Sequence, residues 1–283
     1  MNWYREIGTL VDALGHPEFP RILIGQLQRI VACDLATIFV NQRRSRPLLV
    51  YDNFHTEGSK RGLANYLDHT YVLNPFYNAH LQGIDDGVYR IKDLAPDGFF
   101  ESELFRSRDV TLSASEEIGF ITRGWPRDME EVGIAVSLGE RVTAEIAIYR
   151  AVSQGGFEDS QLEDLRRVHP VIAACFRQYW ASHGHSFSHG SDGASSWADQ
   201  AFDNFGCELL TSREQEVIRL VLRGHSSESI GYNLGISITT VKTHRKNAYE
   251  RLGIATQAEL LSLFLQSMRS GVALATPHPP LEG

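Results

Sequence analysis

The chain has 283 residues, of which 42% are hydrophobic and 22% charged, and its formal net charge is −8. That length suits two domains with cores of ordinary size, so folding needs neither disulfides nor a structural metal. Three scattered cysteines, Cys33, Cys175 and Cys207, form no Cys-x-x-Cys pair and read as free thiols of a reducing compartment. No run of about 20 apolar residues occurs, so no membrane span is expected.

The opening stretch carries acids and no long apolar run, which argues against a secretory signal and for a cytoplasmic protein. Two segments follow with apolar residues at helical spacing, WYREIGTLVDAL and FPRILIGQLQRIV. LATIFVN and PLLVYDNF, joined by the polar QRRSR, then predict a hairpin. KRGLANYLDHTYVL and PFYNAHLQGI read as helices divided at Asn74-Pro75. EEVGIAVSLG and RVTAEIAIYRA predict a second hairpin. In its second strand Val142, Ala144, Ile146 and Ile148 alternate with Thr143, Glu145, Ala147 and Tyr149, the pattern of a half-buried strand. A long amphipathic helix over FEDSQLEDLRRVHPVIAACFRQYW closes the region. Helices and antiparallel hairpins in this order predict an α/β sandwich, a sheet flanked by helices, over residues 1–180.

Residues 181–206 are rich in Ser, Gly and His and predict a flexible linker, although Trp197 and Phe202 suggest that its second half packs on something. His183, His185 and His189 lack flanking Cys or carboxylate partners, so neither a metal nor a cofactor is expected. The Pro-rich residues 271–283 read as a disordered tail.

Residues 207–270 read as four short helices with explicit caps. Thr211 and Glu214 form a capping box, and Gly224 ends that helix. Ser226 or Ser227 starts the next helix, Gly235 turns the chain, and Ser237 caps a third. At about 100° per residue, Val241, Ala248 and Leu252 share one face of the third helix. Thr239, Lys242, Thr243 and Lys246 lie opposite, with His244 and Arg245 at the flanks. Within Leu209–Met268 the net charge is +2, which leaves −10 on the remainder. A basic minority on an acidic body points to nucleic acid as the partner of this segment alone. The candidate DNA-contacting residues are Thr239, Thr240, Lys242, Thr243, Arg245 and Lys246.

This stretch resembles the LuxR-type (GerE-type) DNA-binding domain. Leu210–Val217 match its opening Leu-Thr-x-Arg-Glu-x-Glu-Val, and Leu234–His244 match Leu-Gly-Ile-Ser-x-x-Thr-Val-Lys-x-His. Gly224, Asn247, Leu252 and Gly253 fit as well. The resemblance implies that Lys242, Thr243 and Lys246 enter the major groove of double-stranded DNA. It also implies that the last helix, 256–268, contributes to a homodimer, with Leu260, Leu261, Phe264, Leu265 and Met268 supplying a core stripe and a partner stripe. RNA polymerase is a further partner for such a regulator. The chain departs from the family at Ser227–Gly231, where a lysine gives way to Glu228.

The input region contains neither the parallel alternation of a receiver domain nor a Gly-x-x-x-x-Gly-Lys loop. Its architecture resembles GAF/PAS-like sensors and autoinducer-binding domains. LANYLDHTYVLNPFYNAH is similar to the aromatic and Asp-Pro region of the autoinducer class, with Asn74 in the aspartate position and no tryptophan near Leu63. A small-molecule ligand is expected, an acyl-homoserine lactone being one option. The candidate lining residues are Tyr51, Tyr66, Asp68, Tyr71, Asn74, Tyr77 and Trp125. The sheet is expected to be covered on one side by Leu63–Leu73. No nucleophile elbow, metal spacing or paired-carboxylate motif supports an enzyme. Control by a protein partner is the competing reading.

Overall fold

The computed structural model describes residues 3–99, 111–113, 116–117, 129–187 and 197–270. They form two compact units. The first takes Met1–Arg61, Pro75–Leu94 and Gly124–Ser195; the second takes Gly62–Asn74, Ala95–Arg123 and Ser196–Gly283. The division does not follow a boundary at residue 180, because two N-terminal segments group with the C-terminal helices.

The first unit is built on an antiparallel sheet of five strands: β1 (Leu35–Gln42), β2 (Leu48–Asp52), β3 (Gly87–Arg90), β6 (Met129–Gly139) and β7 (Val142–Ala151). Their order is β2-β1-β7-β6-β3. Both expected hairpins are present, and Ile146 of the central strand stands opposite Ile38 on one side and Ile134 on the other. The remaining strands, β4 (Thr111–Ser113) and β5 (Glu116–Glu117), pair separately in the second unit.

One sheet face carries Ala36, Ile38 and Val40 of β1, Val132, Ile134 and Val136 of β6, and Ala144, Ile146 and Ile148 of β7. These share a core with helices α1 (Trp3–Asp12), α2 (Phe19–Ile30) and α6 (Asp159–His183), through Leu10, Leu23, Leu27, Leu165, Ile172 and Phe176. Phe19 stacks on Tyr179 at 4.9 Å between ring centroids. Burying each such side chain contributes ~2 kcal/mol.

The expectation of a half-buried β7 is corrected: Thr143 through Tyr149 are all buried. The cause is a second cover. Helix α4 (Pro75–Gln82), which comes after α3 (Glu57–Asp68) in the chain, lays Phe76 on Gly133 of β6. A Cβ at residue 133 would lie 2.8 Å from the Phe76 ring, which is fully buried and has nowhere to move. His80 of α4 bonds Thr143 Oγ1 at 3.0 Å and the Arg43 carbonyl at 3.1 Å.

Strand β3 is too short for a periodic signal. Arg90 anchors it, since its guanidinium pairs with Glu130, reaches Asp159 at 2.8 Å and donates to the Phe157 carbonyl at 2.7 Å. A short helix, α5 (Ile91–Leu94), follows.

The linker reading of 181–206 is corrected at both ends. Helix α6 runs to His183 and a 3-10 turn takes Gly184–Phe187; α7 covers Trp197–Asn204. In the second unit α7 buries Ala198, Asp199 and Phe202. Phe202 meets Phe264 edge-on at 5.6 Å, and the Arg223 guanidinium lies 4.7 Å from the Phe202 ring centre. These apolar and cation–π contacts outweigh the turn-rich composition. The tail, 271–283, lies outside the described residues.

The four C-terminal helices are α8 (Ser212–Leu222), α9 (Ser227–Leu234), α10 (Ile238–Leu252) and α11 (Gln257–Ser270). All described members of the expected caps are in place. Thr211 Oγ1 accepts from Glu214 N, while Glu214 Oε2 accepts from Thr211 N at 2.9 Å. Ser226 caps α9 and Ser237 caps α10, each at 3.1 Å. Thr256 and Glu259 form a further capping pair at α11.

Candidate nucleic-acid interface and buried polar face

In the second unit α9 and α10 are short helices joined at Gly235, which takes φ 63°. Helix α10 buries Val241, Ala248 and Leu252 and leaves Thr239, Lys242, Thr243 and Lys246 exposed. The other sequence candidates, Thr240 and Arg245, are half-buried, as is His244. The Thr240 hydroxyl bonds Ser237 Oγ at 2.8 Å, and Thr243 Oγ1 donates to the Thr239 carbonyl at 3.0 Å. Lys246 has its side chain 75% exposed and reaches Glu250 only at 3.7 Å. A hollow of about 460 Å³ opens beside Lys242, Arg245, Lys246 and Tyr249 and reaches Ile254 and Gln257. A cationic ridge of this kind meets phosphate and base edges without first breaking a strong internal pair.

Two features of this unit lay beyond the sequence reading. Tyr232 of α9 is 91% exposed, an aromatic hydroxyl free to reach a nucleic-acid backbone. Asp97 receives the Ser226 hydroxyl and, at 3.0 Å, the Ser226 N–H. Burial opposes its charge. The Ser226 bonds and the Gly98 N–H prevail and hold the carboxyl below its usual range. Asp97 thus adds a second acceptor at the N-terminus of α9. The neighbouring His225 is lowered chiefly by burial.

The dimer stripe expected on α11 is corrected. Leu260, Leu261, Phe264, Leu265 and Met268 are each at most 1% exposed within one chain. They are core, and among the described side chains of that helix Ala258 and Leu263 are the apolar residues left half-buried.

The ligand candidates are divided between the two units. Tyr51 and Tyr77 are in the first unit; Tyr66, Asp68, Tyr71 and Asn74 are in the second. Tyr66 is 4% exposed, so it does not face bulk solvent. Tyr71 spends its hydroxyl on Asp199 Oδ2 at 2.8 Å, and Asn74 closes the 3-10 turn Thr70–Leu73 by donating its N–H to Tyr71. Tyr77 donates to the Ser45 carbonyl at 3.4 Å, and Tyr51 is half-buried. Asp68 is exposed, which removes it from any enclosed site. Trp125 lies outside the described residues. Leu63–Leu73, expected over the sheet, falls in the second unit.

The sheet face that α4 covers carries polar residues the sequence reading missed. Thr37, Asn41, Glu145 and Tyr149 are each at most 2% exposed. Asn41 Nδ2 donates to Glu145 Oε2 at 3.4 Å, and the Tyr149 hydroxyl contacts Thr37 Oγ1 at 3.4 Å and donates to Glu131 Oε1 at 3.5 Å. Burial pushes the Glu131 carboxyl up to about 7. Burial, with Glu131 nearby, raises Glu145 well above the carboxylate range. Among the described residues no three His, Cys, Asp or Glu cluster in a way that could hold a metal.

The paired short helices and the exposed cationic α10 define a helix-turn-helix DNA-binding protein. Residues 208–264 match the family model described as bacterial regulatory proteins of the luxR family. The chain is 29% identical over 200 residues to an HTH-type transcriptional regulator encoded in the exeN 3' region of Aeromonas salmonicida, covering 69% of this chain and 94% of that one. Over 56 residues it is 43% identical to the transcriptional regulatory protein MctR of Rhizobium johnstonii, covering 20% of this chain and 26% of the relative. Among solved structures it is similar to the VqsR ligand-binding domain of Pseudomonas aeruginosa, with TM-score 0.49, 19% identity and coverage of 64% and 97%. It is also similar to Escherichia coli SdiA, with TM-score 0.41, 15% identity and coverage of 97% and 100%. The chain is a transcriptional regulator that carries a LuxR-type DNA-binding domain.

Proposed function

We propose that this regulator works in the cytoplasm, by binding and not by catalysis, and that a small molecule taken up by its N-terminal part controls dimerisation or DNA binding by α8–α11. The observation that carries the DNA half is the exposed Thr239, Lys242, Thr243 and Lys246 face, held opposite a buried face in a capped frame. Lys242, Thr243 and Lys246 enter the major groove, flanked by Thr240 and Arg245. A homodimer reads an imperfect inverted repeat, and RNA polymerase is the partner through which an activator acts. The observation that favours a small molecule over a protein partner is the polar set buried on the inner sheet face, since a protein-docking surface lies outside. This holds whether the sheet region is grouped with autoinducer-binding or GAF/PAS-like domains.

A thermal-shift screen of the full chain against small amphiphiles, acyl-homoserine lactones included, tests this reading. A compound that raises the melting temperature and also changes operator affinity supports it. If no compound does so, control by a protein partner replaces it.

A further inference from the structure

Helix α2 presents Leu23, Gln26, Leu27 and Ile30 to one hollow, at the i, i+3, i+4 and i+7 spacing of an apolar helix face. Gln26 is the polar exception in that stripe. It is 8% exposed, and its Oε1 is buried with no hydrogen-bond partner. Turning the amide over exchanges an unmet acceptor for an unmet donor. The stripe does not close against its neighbours. Between it, Ile7 of α1 and Val171 and Ile172 of α6 lies a space of about 220 Å³, all within the first unit. It lies on the side of the sheet away from α4.

Water is a poor occupant. A water molecule takes about 30 Å³ and needs about two to four polar partners, whereas this hollow offers one uncharged polar group among aliphatic walls. Ions are poor occupants as well. The charges at the rim are already matched: Glu6 lies 3.3 Å from the Arg29 guanidinium, and Arg167 lies 3.2 Å from Asp164. An ion taken inside would lose its hydration without gaining a counter-charge. What remains is a small neutral molecule with an apolar body and one hydrogen-bonding group. We propose that the hollow between α1, α2 and α6 binds such a molecule, of about seven or eight non-hydrogen atoms, and that the Gln26 carboxamide meets its hydroxyl, carbonyl or amide. Burial of the body supplies most of the affinity, and Gln26 fixes the orientation. The site is separate from the polar sheet face invoked above, so the two readings stand or fall independently.

The probes are benzyl alcohol and hexan-1-ol, with benzoate and hexanoate as charged counterparts and toluene as the counterpart without a polar group. They are titrated into the full-length protein labelled at isoleucine methyl groups, so that Ile7, Ile30 and Ile172 report the hollow by NMR. Both alcohols are expected to shift these three signals and to bind at least about tenfold tighter than the carboxylates. Q26L keeps the size of the side chain and removes its polar atoms. It is expected to weaken benzyl alcohol relative to toluene by about fivefold to tenfold, the worth of one hydrogen bond. V171W fills the space and is expected to abolish binding of every probe, with the remaining methyl signals showing that the fold is intact. Should V171W fail to fold, Q26L alone decides.

If the alcohols leave Ile7, Ile30 and Ile172 unmoved at millimolar concentration, or Q26L leaves the ratio of benzyl alcohol to toluene affinity unchanged, the inference is overturned. It is overturned too if N41L, and not Q26L, weakens the alcohols, which would put them on the polar sheet face. Signals of these three methyls that move on dilution of the protein, and not on addition of a probe, would assign the hollow to a second copy of the chain instead.

Discussion

Replacing Glu131 with glutamine isolates the energetic effect of burying that carboxyl. Burial lifts it from the ordinary 4.5 to about 7. Between those values the folded chain keeps a proton that the unfolded chain has lost. The unfolded state therefore binds fewer protons, and stability falls as pH rises through this window and levels off above it. A shift of this size is worth at most ~3 kcal/mol, trimmed to ~2 kcal/mol by the solvent that reaches the half-buried side chain. E131Q has no proton to lose, so it lacks this decline. Urea unfolding of both proteins from about pH 5 to about pH 8 measures the difference, with the midpoint read at constant m-value. The wild type is expected to lose ~2 kcal/mol relative to E131Q across the window. Curves that run parallel from end to end would refute the argument and place Glu131 in ordinary solvent.

K242A and K246A are each expected to weaken operator binding and to lower the slope of log affinity against log salt by about one unit, seen by fluorescence anisotropy at several salt concentrations; unchanged slopes would remove both from the phosphate contacts. D97A withdraws a carboxylate cap from α9 and is expected to cost about 1 kcal/mol in thermal unfolding, with D97N losing less. Y71F leaves the buried Asp199 carboxylate without its phenolic donor and is expected to cost about 1–3 kcal/mol by urea unfolding; a neutral result would mean that Asp199 has an equivalent partner.

The C-terminal helices were legible because each boundary is written in local chemistry. Thr211, Ser226 and Ser237 cap through hydrogen bonds spanning three residues, and Gly235 supplies a left-handed turn; neither depends on the rest of the fold. The hairpins were legible for a similar reason, as alternation and a short polar connection set their register. What escaped was set at long range. Glu145 alternates correctly for a solvent-facing position, and a covering layer that includes α4 turns that face inward. Helix α7 hid in a Ser- and Gly-rich stretch because its order comes from Phe264 and Arg223, some 20 to 60 residues further on. Tyr71 has the residue type of a pocket lining, but that type does not reveal that its hydroxyl meets Asp199 of the same helix.

The close approach of Gly98 and Gly224 bears on how freely this regulator can be recombined. A Cβ at residue 98 would lie 3.0 Å from the Gly224 carbonyl, and one at residue 224, where φ is already 89°, would lie 2.8 Å from Phe99 Cα. Neither position has a flexible side chain that could yield, and Phe99 is fully buried. The turn between α8 and α9 is therefore fitted to one short stretch of chain more than a hundred residues upstream, with Asp97 as the latch. A hybrid regulator made by grafting another DNA-binding domain after residue 206 would bring its own residue to position 224 and its own cap to position 226. Unless that donor also offers a bare backbone and a hydroxyl there, the Pro96–Phe99 segment loses its seat. The C-terminal domain is thus no interchangeable cassette, and a chimera that is meant to keep this packing must match residues 97–99 to the incoming turn.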